Sequence, residues 1–485
     1  MIKTEKVNET YMRVFADPGV EQELSDFFTF EVPGARFTPA YKAKMWDGKI
    51  RLFNVMSCTL YGGLNHQLDE FGKSRGYEIE YSDDFASEEF SLKEAHDFVE
   101  SLNIPEKFER RDYQLDAFTY AVRNRRALML SPTASGKSFI IYLLVRYYEE
   151  YLRDTGCRTL IIVPTTSLVH QLASDFVDYG YSDSSNIHRV FAGQDKDTDH
   201  PIVISTWQSI YKLPKTYFDN FDVIIGDEAH LFKAKSLTSI MSKLTDCRYR
   251  FGFTGTLDDT QTHKLVLEGL FGAVRRVTKT ADLIEQGHLA QFLIKCIVLR
   301  YPDEERKLVC KMDYQAEMDW LVRNDARNKF IKNLALSLKG NTLILFQYVD
   351  KHGKVLYDML KGDNVYFVHG GVDGSDREEI RHIVEQSTSS IIVASYGTFS
   401  TGINIRNLHN IIFASPSKSK IRVLQSIGRG LRKAESKDIA TLYDVSDDLI
   451  WKNKKNFTIQ HFAERVKNYN EEKFDYKIYP VNLKA

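Results

Sequence analysis

The sequence predicts an α/β protein: two tandem doubly wound parallel-sheet domains preceded by a small α/β N-terminal module. Three observations carry that prediction. Short β-branched runs recur from about residue 107 to 445, each followed by a polar or Gly-containing turn and a helical stretch. The runs are continuously apolar, as strands covered on both faces are, whereas half-exposed strands alternate. Before residue 105 the composition differs, residues 1–100 carrying 19 acidic and 11 basic side chains.

Composition sets the outer limits. The 485 residues are 43% hydrophobic and 27% charged, which suffices for two or three packed cores and argues against wholesale disorder. Lys and Arg number 65 against 66 Asp and Glu, a net charge of −1. That excludes a polycation holding nucleic acid by bulk charge, but not a local basic groove. The five cysteines are scattered with no C-x-x-C pair, which argues against a disulfide framework or zinc site and fits a reducing compartment. The N-terminal MIKTEKVNETYMRVF has no apolar run of signal-peptide length. The longest aliphatic stretch, FIIYLLV at 139–145, is far short of the ~20 residues that span a bilayer. These features predict a soluble cytoplasmic protein with no membrane partner.

The first element is the module, residues 1–105, where KIRLFNV reads as a strand and SLKEAHDFVESL as a helix. Within it, Arg36, Lys42, Lys44, Lys49 and Arg51 face only Asp47 and interleave with Phe37, Tyr41 and Trp46. Cations interleaved with aromatics suit phosphates and bases, so Lys42, Lys44, Trp46, Lys49 and Arg51 are candidates for binding nucleic acid. The competing reading makes Trp46 and Phe37 core residues and the lysines a solvated strand face.

The first sheet domain, 106–295, carries the runs ALML (127–130), TLIIV (159–163), IVIS (202–205), DVIIG (222–226) and YRFGFT (249–254). The second, 296–446, carries TLILFQY (342–348), VYFVHG (365–370), SIIVASY (390–396), NIIFAS (410–415) and ATLYDV (440–445). A basic extension, 447–485, reads as helical and then extended; from Trp451 on it holds eight basic and four acidic residues.

Between the first run and its helix lies Ser131-Pro132-Thr133-Ala134-Ser135-Gly136-Lys137-Ser138. Strand before and helix after give a G-x-x-x-x-G-K-S/T loop its meaning, although Ser131 stands where that pattern has its first Gly. Backbone N–H groups curl around a phosphate, and the helix adds its positive end. Lys137 is placed to reach the β/γ-phosphates of ATP and Ser138 to bind Mg²⁺. Ninety residues on, an apolar strand runs into Asp227-Glu228-Ala229-His230. A carboxylate at a strand's C-terminal end can hold Mg²⁺, which assigns Asp227, and Glu228 is placed to take a proton from an attacking water. A solvated acidic turn is the plainer alternative.

On these segments residues 107–445 resemble the superfamily 2 nucleic-acid helicases, whose tandem domains are RecA-like. The resemblance implies that Arg111 and Gln114, in Arg111-Asp112-Tyr113-Gln114, read adenine. It places Thr165, Thr206 and Gln208 at strand ends that touch the nucleic-acid backbone. His230, Thr254 and Thr256 would couple hydrolysis to domain movement. In the second domain, Ser400-Thr401-Gly402-Ile403-Asn404 resembles a motif touching strand and nucleotide, with Asn404 where the family usually has Asp. Gln425, Arg429 and Arg432 match its Q-x-x-G-R-x-x-R motif. The resemblance implies that both guanidinium groups offset charge at the γ-phosphate, while two arginines three apart can equally pair with surface carboxylates. Through Phe37-x-Pro39 and Trp46-Asp47-Gly48-Lys49-Ile50-Arg51 it extends to a bacteriophage branch of the superfamily that acts on branched DNA.

A single strand held by Thr165, Thr206 and Ser395 through its phosphates would be moved without regard to sequence. The branch resemblance implies 3′→5′ unwinding or branch migration of forks, Holliday junctions, D-loops and R-loops (RNA–DNA hybrids), in recombination, repair and replication. It further implies single-strand-binding or recombination proteins as partners, a monomer, and the host-cell cytoplasm. Three alternatives stay open: an RNA helicase, a double-strand DNA translocase, and a nucleic-acid-binding scaffold with a vestigial ATP site.

Overall fold

In the computed structural model the chain forms two units, Met1–Thr278 and Lys279–Ala485. It describes all residues except 33, 83–86, 133, 197, 231–234, 258–260, 403–404, 406, 416–438 and 484–485.

The N-terminal residues supply six strands: β1 (Ile2–Lys6), β2 (Tyr11–Phe15), β3 (Thr29–Glu31), β4 (Lys49–Arg51), β5 (Thr59–Tyr61) and β6 (Ile79–Glu80). Four form a sheet in the order β5-β2-β1-β6, and β3 pairs separately with β4. Along β1 and β2 buried and exposed residues alternate, so one face of the sheet is covered. Ile2, Met12, Val14, Phe28 and Phe71 pack there together with Leu265 of the following lobe. The helix Leu92–Ser101 opens with a capping box between Ser91 and Glu94. Its Ala95 and Val99 belong to the core of the next sheet rather than to that of β1–β6.

The first parallel sheet contains β7 (Arg126–Leu130), β8 (Thr159–Val163), β9 (Ile187–Val190), β10 (Ile202–Thr206), β11 (Val223–Asp227), β12 (Tyr249–Thr254) and β13 (Val274–Arg276). Their order is β13-β7-β12-β11-β8-β10-β9, and every pairing is parallel. All five predicted runs are inner strands, and β8, β10 and β12 are buried throughout. The edge strands β9 and β13 are short and carry exposed cations, which hides them from an apolar-run search. Gly252 lets the helix Gln261–Phe271 press on the sheet, since a Cβ there would lie 2.9 Å from the Phe271 ring and from Leu128.

The module is bolted to this lobe. A Cβ on Gly63 would lie 2.2 Å from the Glu268 carbonyl, and the Glu9 N–H donates to the Thr245 carbonyl at 2.8 Å. The charged residue within the run YRFGFT, Arg250, is fully buried. Its guanidinium donates to the carbonyls of Met241 (2.8 Å), Leu244 (2.9 Å) and Leu270 (3.0 Å) and to Thr10 Oγ1 (3.1 Å).

The second unit holds β14 (Gln291–Arg300), β15 (Thr342–Phe346), β16 (Val365–Val368), β17 (Ile391–Ser395), β18 (Asn410–Phe413), β19 (Ile439–Asp448) and β20 (Tyr476–Asn482). The order is β16-β17-β15-β18-β19-β14-β20, again all parallel. Residues 447–485 thus give the end of β19, the helix Phe457–Glu471 and an edge strand, where Pro480 is tolerated. Two buried ion pairs fix them: Arg465 on Asp444 at 2.8 and 2.9 Å, and Arg327 on Asp447 at 2.8 and 3.2 Å. Buried Glu317 caps the helix, accepting from the Phe457 and Thr458 N–H groups at 2.9 and 2.8 Å.

Candidate active site

The loop between β7 and the helix Lys137–Tyr151 turns through two left-handed residues, Ala134 at φ 67° and Gly136 at φ 80°. Gly136 is required twice over, because a Cβ would also meet Gln114 Nε2 at 2.2 Å. Gln114 Nε2 donates to the Ser135 carbonyl at 2.9 Å, Tyr113 to the same oxygen at 3.1 Å, and Arg111 to the Ala134 carbonyl at 3.1 Å. The segment expected to meet adenine therefore also holds the phosphate loop. Ser131 does not have a left-handed backbone, so glycine is not needed there. It is buried, shares its hydroxyl with Ser135 and donates its N–H to the Thr254 carbonyl at 2.8 Å. Pro132 accepts from Ser135 Oγ at 2.6 Å. Thr133 lies outside the described residues.

Asp227 ends β11 and Glu228 follows at φ 53°, a left-handed conformation uncommon for a side chain of that length. Lys137 Nζ sits 2.8 Å from Glu228 Oε1 and 3.4 Å from Asp227 Oδ1. Burial opposes the Lys137 charge, but the two carboxylates outweigh it and raise its pKa. Burial raises that of Asp227 against the pull of Lys137, and the Glu228 N–H donates to its Oδ1 at 2.9 Å. Ser138 Oγ bonds the Tyr179 hydroxyl at 2.9 Å, and burial pushes Tyr179 up to about 12.

From Glu228 the polar contacts continue across neighbouring strands. His230 Nδ1 lies 3.4 Å from Glu228 Oε2 and 3.1 Å from Thr254 Oγ1, which in turn donates to the Thr256 carbonyl at 2.7 Å. The carboxylate and the Thr254–Thr256 turn are thus joined through one buried imidazole.

Thr165 and Thr206 follow and end the paired strands β8 and β10, so both stand at the C-terminal edge of the sheet. Thr165 Oγ1 caps its helix by accepting from the Leu168 N–H, Thr206 Oγ1 bonds Ser209, and Gln208 is exposed. In the second unit Ser395 ends β17 and bonds Thr398 Oγ1 at 2.8 Å, and Gly402 ends the helix Tyr396–Gly402. Asn404, Gln425, Arg429 and Arg432 lie outside the described residues.

The basic segment of the module is an excursion between β3 and β4. Lys42, Lys44, Lys49 and Arg51 are exposed; Trp46 is half-buried, its Nε1 donating to the Lys49 carbonyl at 2.8 Å. Phe37 is 69% exposed and Met45 83%, which removes the core reading for Phe37. Arg51 is engaged by Asp47 at 2.5 Å. Sequence reasoning missed Tyr113, whose signal was its place between Arg111 and Gln114, and Tyr179, which has no local signal because it reaches Ser138 from 41 residues away.

Three family profiles match. Residues 2–82 match the N-terminal domain of DNA helicase UvsW, 107–259 the res subunit of type III restriction enzymes, and 326–434 the helicase conserved C-terminal domain. The chain is 37% identical to the ATP-dependent DNA helicase uvsW of Enterobacteria phage T4, over 98% of each chain. It belongs to the UvsW helicase family. The crystal structure of T4 UvsW superposes with a TM-score of 0.53 at 36% identity, covering 100% of both chains. The DNA 3'-5' translocase XPB2 of Sulfurisphaera tokodaii is 23% identical across 72% of this chain and 85% of its own. The UvsW N-terminal match includes the whole β3–β4 excursion and ends before the helix Leu92–Ser101.

Proposed function

We propose that the protein is an ATP-dependent DNA helicase that unwinds or branch-migrates forks, Holliday junctions, D-loops and R-loops in the 3′→5′ direction. The observation that supports it best is Lys137 held between Asp227 and Glu228, with His230 tying Glu228 to the Thr254 turn. The triphosphate competes with the carboxylates for Lys137 and draws its ammonium onto the β/γ-phosphates. Glu228, released from the lysine, accepts the proton of the attacking water. Asp227 and the Ser138 hydroxyl are hard oxygen donors suited to Mg²⁺, which when bound neutralises charge on the transferring phosphoryl group.

Arg429 and Arg432 bring guanidinium charge to the γ-phosphate, and Gln425, Gly402 and Asn404 follow the nucleotide state. Arg111 and Gln114 bind adenine, so occupancy of the base pocket is felt at the loop carbonyls of Ala134 and Ser135. Thr165, Thr206, Gln208 and Ser395 hold strand phosphates, while Lys42, Lys44, Trp46, Lys49 and Arg51 hold a second arm of the substrate. Recombination and single-strand-binding proteins are its expected partners. A duplex translocase is the second reading, favoured by the match of residues 107–259 to the restriction res subunit.

The test is strand displacement with ATP and Mg²⁺ on a fork, a four-way junction, a D-loop, an R-loop, duplex RNA and linear duplex DNA, with Lys137→Ala as control. Wild-type displacement confined to branched substrates, and none by the variant, supports the helicase. Displacement of a third strand from a triplex-bearing duplex, added to the panel, without any strand separation favours the translocase, and displacement by Lys137→Ala overturns both.

A further inference from the structure

The strands of the first sheet carry the phosphate loop and the carboxylates at their C-terminal ends. At their opposite ends, where the module meets the lobe, lies a cavity of about 230 Å³. Arg125 and Arg126 at the start of β7 and Arg248 just before β12 line it from the lobe, and Lys6, Glu9 and His66 line it from the module. The volume holds a phosphate group with water to spare, a water occupying ~30 Å³ in the liquid.

Its charges do not cancel. Lys6 pairs with Glu9 at 2.6 Å, and Arg125 with Glu88 at 2.7 Å. Arg248 shares that Glu88 oxygen only at 3.9 Å. The Arg126 guanidinium donates to the Glu9 carbonyl and has no carboxylate within salt-bridge distance among the described residues. Among the described residues, Lys6, Arg125, Arg126 and Arg248 thus meet the two carboxylates of Glu9 and Glu88, while the lining His66 lies 3.4 Å from Glu268. Burial, and then the charge of Arg250 behind it, lowers the Arg126 pKa to about 10 against the pull of Glu9. Gly62 keeps the approach open, since a Cβ there would stand 2.9 Å from Arg126 Nη1.

We propose that this cavity binds a phosphate group through Arg126 and Arg248 of the lobe and Lys6 of the module. The group comes either from the backbone of a DNA arm or from free phosphate; both present the same oxygens to the guanidinium forks. Bound there, it ties the module to the motor lobe by a third charge. Only the DNA source rests on the proposed helicase reading.

The test uses the full chain with its nucleotide site filled by a non-hydrolysable ATP analogue. Inorganic phosphate is titrated at constant ionic strength while the melting temperature is read. A saturable rise is expected, with apparent affinity reduced roughly tenfold in Arg248→Gln and in Lys6→Gln, the worth of one charged hydrogen bond. Arg248 is 47% exposed, so its variant keeps the wild-type melting temperature without phosphate. Fork binding is then measured for the same proteins. If a DNA arm supplies the group, Arg248→Gln weakens fork binding and lowers the salt slope by about one. If free phosphate does, fork affinity is unchanged and only the melting response is lost. A response that is absent, or equal in wild type and both variants, together with unchanged fork binding, overturns the proposal.

Discussion

Glu228 combines a left-handed backbone with two close polar neighbours, the Lys137 ammonium and the His230 imidazole. A conformation of that kind costs on the order of 1–3 kcal/mol and persists only where its surroundings enforce it. Here β11 and the Asp227 side chain do so, the latter by accepting the Glu228 N–H. Glu228→Gln is expected to keep nucleotide affinity and to lower hydrolysis by about 10²–10⁴, the usual worth of a general base. Steady-state ATPase alongside equilibrium nucleotide binding checks this, and unchanged turnover would remove Glu228 as the base. The meeting of Lys137 with Asp227 and Glu228 was legible in the sequence because each stands at or beyond the C-terminal end of an apolar strand of one parallel sheet. Ser138's bond to Tyr179 was not, because it joins residues 41 apart through tertiary packing alone.

The helix Phe457–Glu471 and the strand β20 owe their positions to groups a sequence scan counts as surface charge. Asp444 accepts two bonds from Arg465 and one from Tyr469, and is fully buried. Asp444→Asn leaves a buried guanidinium without its counter-charge and is expected to cost about 3–5 kcal/mol, read by urea unfolding of the second unit. His352 is a second such element-scale lever. It is buried with Nδ1 bonded to Ser415, and burial, then the Arg327 charge, lowers its pKa from 6.5 to about 3. The folded protein therefore holds this imidazole neutral while the unfolded chain protonates below about pH 6.5. Stability is fully present above that pH and falls by about 1.4 kcal/mol per unit down towards pH 3. Thermal melts between pH 7 and 4 should show this slope, and His352→Gln should flatten it. The sequence showed a helix and an extended tail here. It did not show that the tail completes a sheet, since strand pairing is written in backbone geometry rather than in side-chain pattern.

For the molecule as a whole, a net charge of −1 conceals a strongly uneven distribution. The β3–β4 excursion exposes Lys42, Lys44 and Lys49 beside Phe37 and Met45. Replacing the three lysines by Glu is expected to weaken fork binding and to reduce the slope of log affinity against log salt by about 0.9 for each phosphate they neutralise. Basal ATPase should be retained, and an unaltered slope would assign the lysines to solvent. The fold class was legible because all ten apolar runs are strands of the two sheets. The long strand β14 was missed because Lys295 divides its apolar pattern into two short pieces.

That strand has a consequence for biosynthesis. β14 is the first strand of its sheet to leave the ribosome, yet both its neighbours, β19 and β20, are made last. Its ten residues keep one edge unpaired until residues 439–448 supply β19 and the other until 476–482 supply β20. At roughly 5–20 residues per second that delay lasts about ten seconds or longer. Chains truncated before residue 439 and released from the ribosome should accordingly bind chaperones through this segment, and the full chain should not.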